Sequence, residues 1–598
     1  MRTKLSVIIF LISFAPSFSQ QILETPAWAK DLIIYEIAPK GFTSPDGPES
    51  GTFNSLKEKI PYLKDLGVNG IWLTGYSWSD TSHFYGIWTQ YACIRPDSID
   101  ASLGTPDDFR KLIEKAHDFG IRIFLDVITH GVMKNSPLIK QHPLWFKGGS
   151  WGMIDYDWFG LHKDLDDWWV NTWVNYVETY GVDGFRLDCD IYRPDLWAAI
   201  KYRSKMARHE IVVFEEGPVR FSGATDFRQY SINLASHEGL VLNHPFLKDV
   251  CDYLNRYYDY ERSRYQIKIN YKHKESELIQ ANDKRILSIS FSETPVAGYD
   301  QNSTEIQLAG IPKSDSISKI TVTRLSEGFD FYEMNYTAWA NDKNKHPNWP
   351  AFFYKGRTLF VKIPDIPPMK EITSLQISCH DGGWEGFSGV NPYTVQGSRC
   401  VMGYSGLLSP ALPIFFSGEE FNSHYRPLPR LCSNLYGDTS KTGSKCWMYG
   451  AWLDWSQLDE QDHADMFNDV KKMIMIRKQQ KALMNGDYFL THILSLEYKC
   501  EQAIPIPYVM WNEDKAIVVA GNNTDEDVSC TIFIPIYTIG LKEKDEVIVT
   551  DLWNDVKKQV YSAKNIHTFS FTIKKDKVAK GGLAIFMIEK KIGDFQLQ

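Results

Sequence analysis

The sequence predicts an α/β fold: a barrel of parallel strands in a chain long enough to carry β-rich additions. Three observations predict it. Strand-like apolar runs alternate with helix-like stretches and short loops, which implies parallel neighbours. The chain has 598 residues, more than one ordinary domain holds. The string GFRLDCD, Gly184 to Asp190, follows a helix-like segment ending in a glycine turn, YVETYGVDG. It reads as a strand, and Arg186 and Asp188, two residues apart, project from one face of it. A charged pair on a buried parallel strand is costly unless it lies near solvent at the strand's C-terminal end. That end is where an α/β barrel gathers its catalytic groups. An adjacent arginine keeps a carboxylate ionised, as a nucleophile requires. A structural salt bridge at a strand tip is the alternative.

The elements follow in order. Arg2 and Lys4 precede an apolar run from Leu5 to about Phe14, and Ser17-Phe18-Ser19 supplies small residues at a cleavage point. Residues 1–19 therefore read as an export signal, and the mature protein as secreted or periplasmic. The run is too short to span a bilayer comfortably, and no other long apolar stretch predicts a membrane span. DLIIYEI is the first strand. Phe53, Leu56, Ile60, Leu63 and Leu66 recur at helical spacing, Gly67 stops that helix, and GIWL is the second strand. Thr105 is placed to cap a helix, with Pro106 at its first position and Asp108 at its third. Phe109, Leu112, Ile113 and Ala116 form its buried stripe, Gly120 its stop, and IRIFLDV the third strand. Residues 129–164, rich in Trp, Gly, His and Pro, read as a loop-like excursion over the barrel's top.

Carboxylate spacing locates an insertion. Asp188 and Glu215 are 27 positions apart, about one strand–helix unit, whereas Glu215 and Asp381 are 166 apart. Within that gap RILSISF, KITVTRL and RTLFVKI alternate with period two, giving an inserted β-rich module at about 265–369. The catalytic barrel spans 20–485. The β-rich stretches AIVVAGN, TIFIPI, TFSFTI and GGLAIFMI make 486–598 a C-terminal β-sandwich.

Composition narrows the partners. The chain is 43% hydrophobic with a net charge of −9 and a pI of about 6.0. It is globular in character and lacks the basic excess of a nucleic-acid binder. Aromatics reach 14%, with 19 Trp; most are expected in packing and a few as platforms for sugar rings. Nine Cys is an odd number, so at least one has no partner within the chain. Cys432 and Cys446 flank a Gly/Ser/Thr-rich loop and could pair in an oxidising compartment. Cys189 and Cys379 read as small packing residues. The oligomeric state is left open.

Three acids fall at proposed strand ends: Asp188, Glu215 after IVVF, and Asp381 after LQISCH. Glycoside hydrolysis needs two carboxyl groups about the scissile bond, ~5 Å apart in a retaining enzyme. A third can bind substrate hydroxyls and stabilise the oxocarbenium-like state. With these residues in hand, the chain resembles the α-amylase family of glycoside hydrolases, from IIYEI to the C-terminal sandwich. The resemblance implies a (β/α)8 TIM barrel followed by an antiparallel β-sandwich. It implies Asp188 as nucleophile, Arg186 as its partner, and His380 and Asp381 as substrate-binding and transition-state groups. DFGIRIFLDVITH resembles the family's third strand, and the resemblance implies its Asp126, like Arg186, as a substrate-binding residue. HFYGIWTQY resembles the loop whose tyrosine, Tyr85, stacks under the sugar. PALPIFFSGEEF resembles the eighth strand. Glu215 and Glu216 compete as acid/base; the family pattern puts the acid directly after the apolar run, which favours Glu215, with a pKa raised by its surroundings.

There are departures from the family pattern. His130 stands one position early and either contacts substrate or packs in the loop. Ile191 and Tyr192 replace a Lys-His pair on the leaving-group side. Gly86 replaces an Asp, and Cys379 an Asn that is a usual calcium ligand. No cofactor is expected, and no calcium cage is recognisable. The implied function is a retaining α-glycosidase acting on starch-like α-glucans or maltooligosaccharides. A transglycosylase of the same fold, or a non-catalytic glycan-binding homologue, is the alternative.

Overall fold

The structure, a computed structural model, describes residues 25–82, 87–150, 152–158, 160, 162–189, 193–216, 224–229, 232–233, 265–271, 275–280, 286–292, 303–308, 317–324, 332–334, 374–380, 397–407, 411–424, 426–427, 451–484 and 492–591. The export segment 1–19, Tyr85, Asp381, the RTLFVKI run and the Cys432/Cys446 pair lie outside them.

Nine parallel strands form one sheet: β1 Ile34–Ile37, β2 Gly70–Leu73, β3 Arg122–Ile128, β4 Gly184–Asp188, β5 Val212–Glu215, β6 Phe227–Arg228, β7 Ile232–Asn233, β8 Ser374–Gln376 and β9 Leu412–Phe416. Their order is β6-β5-β4-β3-β2-β1-β9-β8-β7. The two ends of that order are neighbours in sequence. Phe227 pairs with Phe214 of β5, while Ile232 pairs with Leu375 of β8. The short β6–β7 segment is thus the sixth stave, and it closes an eight-staved TIM barrel. It is too short for its periodicity to be read from sequence.

The helices follow their local signals. Thr52 caps α1 (Phe53–Glu58) with a capping box. The predicted single helix is in fact two, because α2 (Ile60–Leu66) restarts with Pro61 in its first turn, where a missing N–H costs nothing. Gly67 ends α2 at φ 103°, a conformation that favours glycine. Thr105 and Asp108 form the capping box of α3 (Pro106–Asp118), whose Phe109, Leu112, Ile113 and Ala116 are buried. α4 (Lys163–Tyr180), α5 (Pro194–Met206), α6 (Arg399–Leu407) and α7 (Gln461–Gln479) complete the described outer ring.

Residues 129–164 are not a loose loop. Gly131–Met133 pairs with Met153–Asp155 as a hairpin, and Pro137–Gln141 is helical. Met133 and Met153 pack with Ile128 against Ala92, Cys93 and Ile94, so apolar burial anchors the excursion to the segment after β2. Between β7 and β8 lie the inserted strands Tyr265–Tyr271, Glu277–Gln280, Ile286–Ser292, Ser303–Leu308, Ile317–Arg324 and Tyr332–Met334. Four of them form one antiparallel sheet and two form a hairpin. The C-terminal region folds as a six-stranded and a three-stranded antiparallel sheet around a second apolar core. A disulfide links Cys500 to Cys530 across a register pair of the smaller sheet. Among the described residues no helix is long and apolar enough to cross a membrane.

Asp183, just before β4, fixes the strand that carries the site. Its carboxylate accepts from the Ile123 amide at 2.9 Å and Arg122 Nη1 at 2.7 Å, and pairs with His117 Nε2 at 2.8 Å. The Asp183 bond pushes the His117 pKa up, outweighing burial. A pKa raised on folding stabilises the protein below the ordinary histidine value, and that stability is lost as pH rises through the folded value. Thermal melts should show wild type above His117→Asn at about pH 5.5, with the gap closing by about pH 8.5. A gap that ignores pH would refute the linkage.

Candidate active site

The barrel's lower interior is aromatic. Trp72 and Phe124 pack edge-on against Phe214, and Phe214 stacks on Phe227 with centroids 4.8 Å apart. Arg186 lies over the Trp72 ring at 4.9 Å. Its guanidinium is fully buried and surrounded by acids. Nη1 donates to Asp188 Oδ1 at 2.6 Å and to Asp126 Oδ1 at 3.0 Å. Nη2 forms an ion pair with Glu216 Oε2 at 2.9 Å. Nε donates to Gln229 Oε1 at 2.7 Å. Four successive staves therefore meet at one cation, and one carboxylate alone could not compensate for its loss of water.

Strand register decides between the two glutamates. Arg186 pairs with Phe214 and Leu187 with Glu215. Paired residues share a face and successive ones alternate, so Glu215 lies on the Leu187 face, away from Arg186. It is fully buried there and accepts from the Thr225 hydroxyl at 3.1 Å. Glu216, one residue later, returns to the Arg186 face. This corrects the choice of Glu215: the acid brought to Asp188 is Glu216. Glu216 Oε2 also accepts from the Cys189 amide at 2.9 Å, and the Arg186 guanidinium bridges it to Asp188.

Burial pushes the Asp188 pKa well up; Arg186 opposes this, while Glu216 and Asp126 add to it. Against burial, Arg186 and the Cys189 amide hold Glu216 below its ordinary value.

Asp126 is fully buried. Its Oδ2 accepts from Trp72 Nε1 at 3.0 Å and the Tyr91 hydroxyl at 2.8 Å. It orients Arg186 and is sealed from substrate, which corrects its expected sugar contact. His380 lies in the segment that follows β8. Its Nδ1 lies 2.6 Å from Glu36 Oε1, and its ring stacks on Tyr91 at 4.9 Å. Burial pushes the Glu36 pKa up against the pull of His380. The carboxylate fixes which face of the imidazole points away, as a carboxylate does for a catalytic histidine. His130 is buried, with Nδ1 3.3 Å from Asp155 Oδ1 and from Ser150 Oγ. A ring nitrogen of His130, an Asp188 oxygen and the Cys189 sulfur all lie within 4.8 Å of one another. The loop histidine thus faces the site despite its early position. Tyr85 and Asp381 lie outside the described residues.

Sequence reasoning missed Glu216's orientation, Glu36, Gln229 and Tyr91. The adjacent Glu-Glu pair was visible, but only the pairing of β4 with β5 says which member faces inward. Glu36 precedes its partner by 344 positions, and no local pattern reports that contact.

Residues 36–141 match the family model of the alpha-amylase catalytic domain. Over this segment the chain is similar to the alpha-amylase catalytic domain. Alpha-amylase 3 of Dictyoglomus thermophilum is 29% identical over 189 residues, covering 27% of this chain and 37% of that protein. Alpha-amylase MalA of Haloarcula japonica is 32% identical over 215 residues, covering 32% of this chain and 30% of that one. The matched stretches thus span about a third of these relatives' lengths. The solved structure of a maltogenic alpha-amylase from Thermotoga neapolitana shares the fold with a TM-score of 0.51 at 14% identity, covering 93% of this chain and 99% of that one.

The buried charge cluster makes a stability prediction. Arg186→Met should destabilise the fold by about 3–5 kcal/mol, because it strands buried carboxylates. Adding Asp126→Asn should recover part of that loss. Denaturant melts measure both; an unchanged midpoint in Arg186→Met would show that the guanidinium does not hold the cluster.

Proposed function

We propose that the protein is a retaining α-glycosidase that hydrolyses α-glucosidic bonds in starch-like α-glucans or maltooligosaccharides through a covalent glycosyl-enzyme. The observation that carries this is the Asp188–Glu216 pair, two carboxyls held by one guanidinium on successive staves at the C-terminal ends of the barrel strands. Two carboxyls gripped by the two terminal nitrogens of one guanidinium suit the ~5 Å of retaining pairs better than the ~6.5–9.5 Å that an inverting pair needs to admit water.

In this mechanism Asp188 attacks the anomeric carbon while Glu216 donates its proton to the departing glycosidic oxygen. Glu216 then takes a proton from water, whose oxygen attacks the anomeric carbon and releases Asp188. Glu216 is the more open, its side chain 27% exposed against 11% for Asp188, which suits the group that meets the leaving oxygen and water. His380, oriented by Glu36, and Asp381 bind sugar hydroxyls; Tyr85 supplies the ring platform. The names of relatives, among them an intracellular maltogenic amylase and a cyclomaltodextrinase, support an α-glucan substrate. The N-terminal segment supports a secreted or periplasmic enzyme.

Glu216→Gln should lower kcat/KM on unactivated maltooligosaccharides by about 10²–10⁴-fold and spare aryl glycosides with good leaving groups. Glu215→Gln should leave that ratio untouched. The reverse pattern would return the acid/base role to Glu215. Early-time NMR of the products should show the α-anomer; mainly β-anomer would exclude retention. Products longer than the substrate would favour transglycosylation.

A further inference from the structure

We propose that His130, Asp188 and Cys189 form a binding site for a zinc-class divalent cation in the mouth of the barrel. Cys189 follows Asp188 directly, and neighbours on a strand point opposite ways. Here the alternation is broken. Cys189 has φ 59°, uncommon for a residue other than glycine. That turn brings its Sγ to 3.6 Å from Asp188 Oδ2.

His130 arrives from the loop after β3 and completes a nitrogen, oxygen and sulfur donor set, all within 4.8 Å. That set suits zinc and its neighbours better than calcium or magnesium, which prefer oxygen throughout. Bound ligands would stand roughly 3.5 Å apart, so the site must tighten by about an ångström. Asp155 and Ser150 already hold His130 Nδ1, leaving Nε2 as the donor in the carboxylate–histidine–metal arrangement common to zinc sites. The surrounding charge favours a cation: Asp126, Asp188 and Glu216 outnumber the single guanidinium of Arg186. Binding displaces the thiol proton and any proton on Asp188, and leaves a fourth position for water.

Metal binding does not depend on the glycosidase reading, but its consequence does. A cation on Asp188 removes the nucleophile, so zinc would inhibit the proposed reaction reversibly.

The test uses the full chain, freed of metal and titrated with Co²⁺ and Zn²⁺. Co²⁺ should bind with unit stoichiometry and give a near-ultraviolet thiolate-to-cobalt charge-transfer band. Cys189→Ala and Cys189→Ser should both lose the band and bind Zn²⁺ at least tenfold more weakly. Inhibition by Zn²⁺, scored against each variant's own rate, should weaken in parallel. A wild type without the band, or a Zn²⁺ affinity unchanged in both variants, would overturn the site. A protein that shows the band yet hydrolyses no glucan would keep the metal site and lose the glycosidase reading. Hydrolysis without the band would do the opposite.

Discussion

The guanidinium of Arg186 is the constraint on which the candidate site depends. It is fully buried, and a buried cation is tolerable only when paired and hydrogen-bonded. Asp126, Asp188, Glu216 and Gln229 supply that pairing from four adjacent staves. The acids in turn depend on Arg186, since three clustered carboxylates around no cation could not all stay ionised. The cluster therefore couples the closure of the barrel to the presence of its catalytic pair. The split stave β6–β7 matters twice: it closes the sheet, and Gln229 between its two halves accepts from Arg186 Nε.

The shell around the cluster has a division of labour. Asp126 is held by Trp72 and Tyr91 and cannot reach substrate; it sets the orientation of Arg186. Tyr91 joins that inner contact to the outer one by stacking on His380, whose other side is held by Glu36. The groups proposed to touch sugar are thus supported by groups that do not. Such support lets a site keep its geometry when substrate arrives, so less binding free energy is spent on ordering.

Much of the fold was legible in the sequence because its signals were local. GIWL, IRIFLDV and GFRLDCD are short apolar runs bounded by glycine turns, and each became a strand. Thr105, Pro106 and Asp108 wrote the start of α3 within four residues. What failed was not local. The break between α1 and α2 needed the weight of Pro61 against a continuous apolar stripe. The hairpin in 129–164 is held by Met133 and Met153 packing on a distant segment. Glu215 against Glu216 turns on strand register, where a slip of one residue exchanges the two faces. Asp188, Arg186 and His380 were found because their motifs are contiguous, whereas Glu36 and Gln229 were not, because their partners are far away in sequence.

The central claim is that Arg186 holds Asp188 and Glu216 together as nucleophile and acid/base. The most direct measurement is covalent trapping. A fluorinated α-glucosyl fluoride, incubated with the Glu216→Gln variant, should accumulate a glycosyl-enzyme, because the activated leaving group needs no proton and the variant lacks the base that activates water. Peptide mapping by mass spectrometry should then place the sugar on Asp188. A label on another carboxylate, or a protein that turns the reagent over without ever carrying the sugar, would contradict the account.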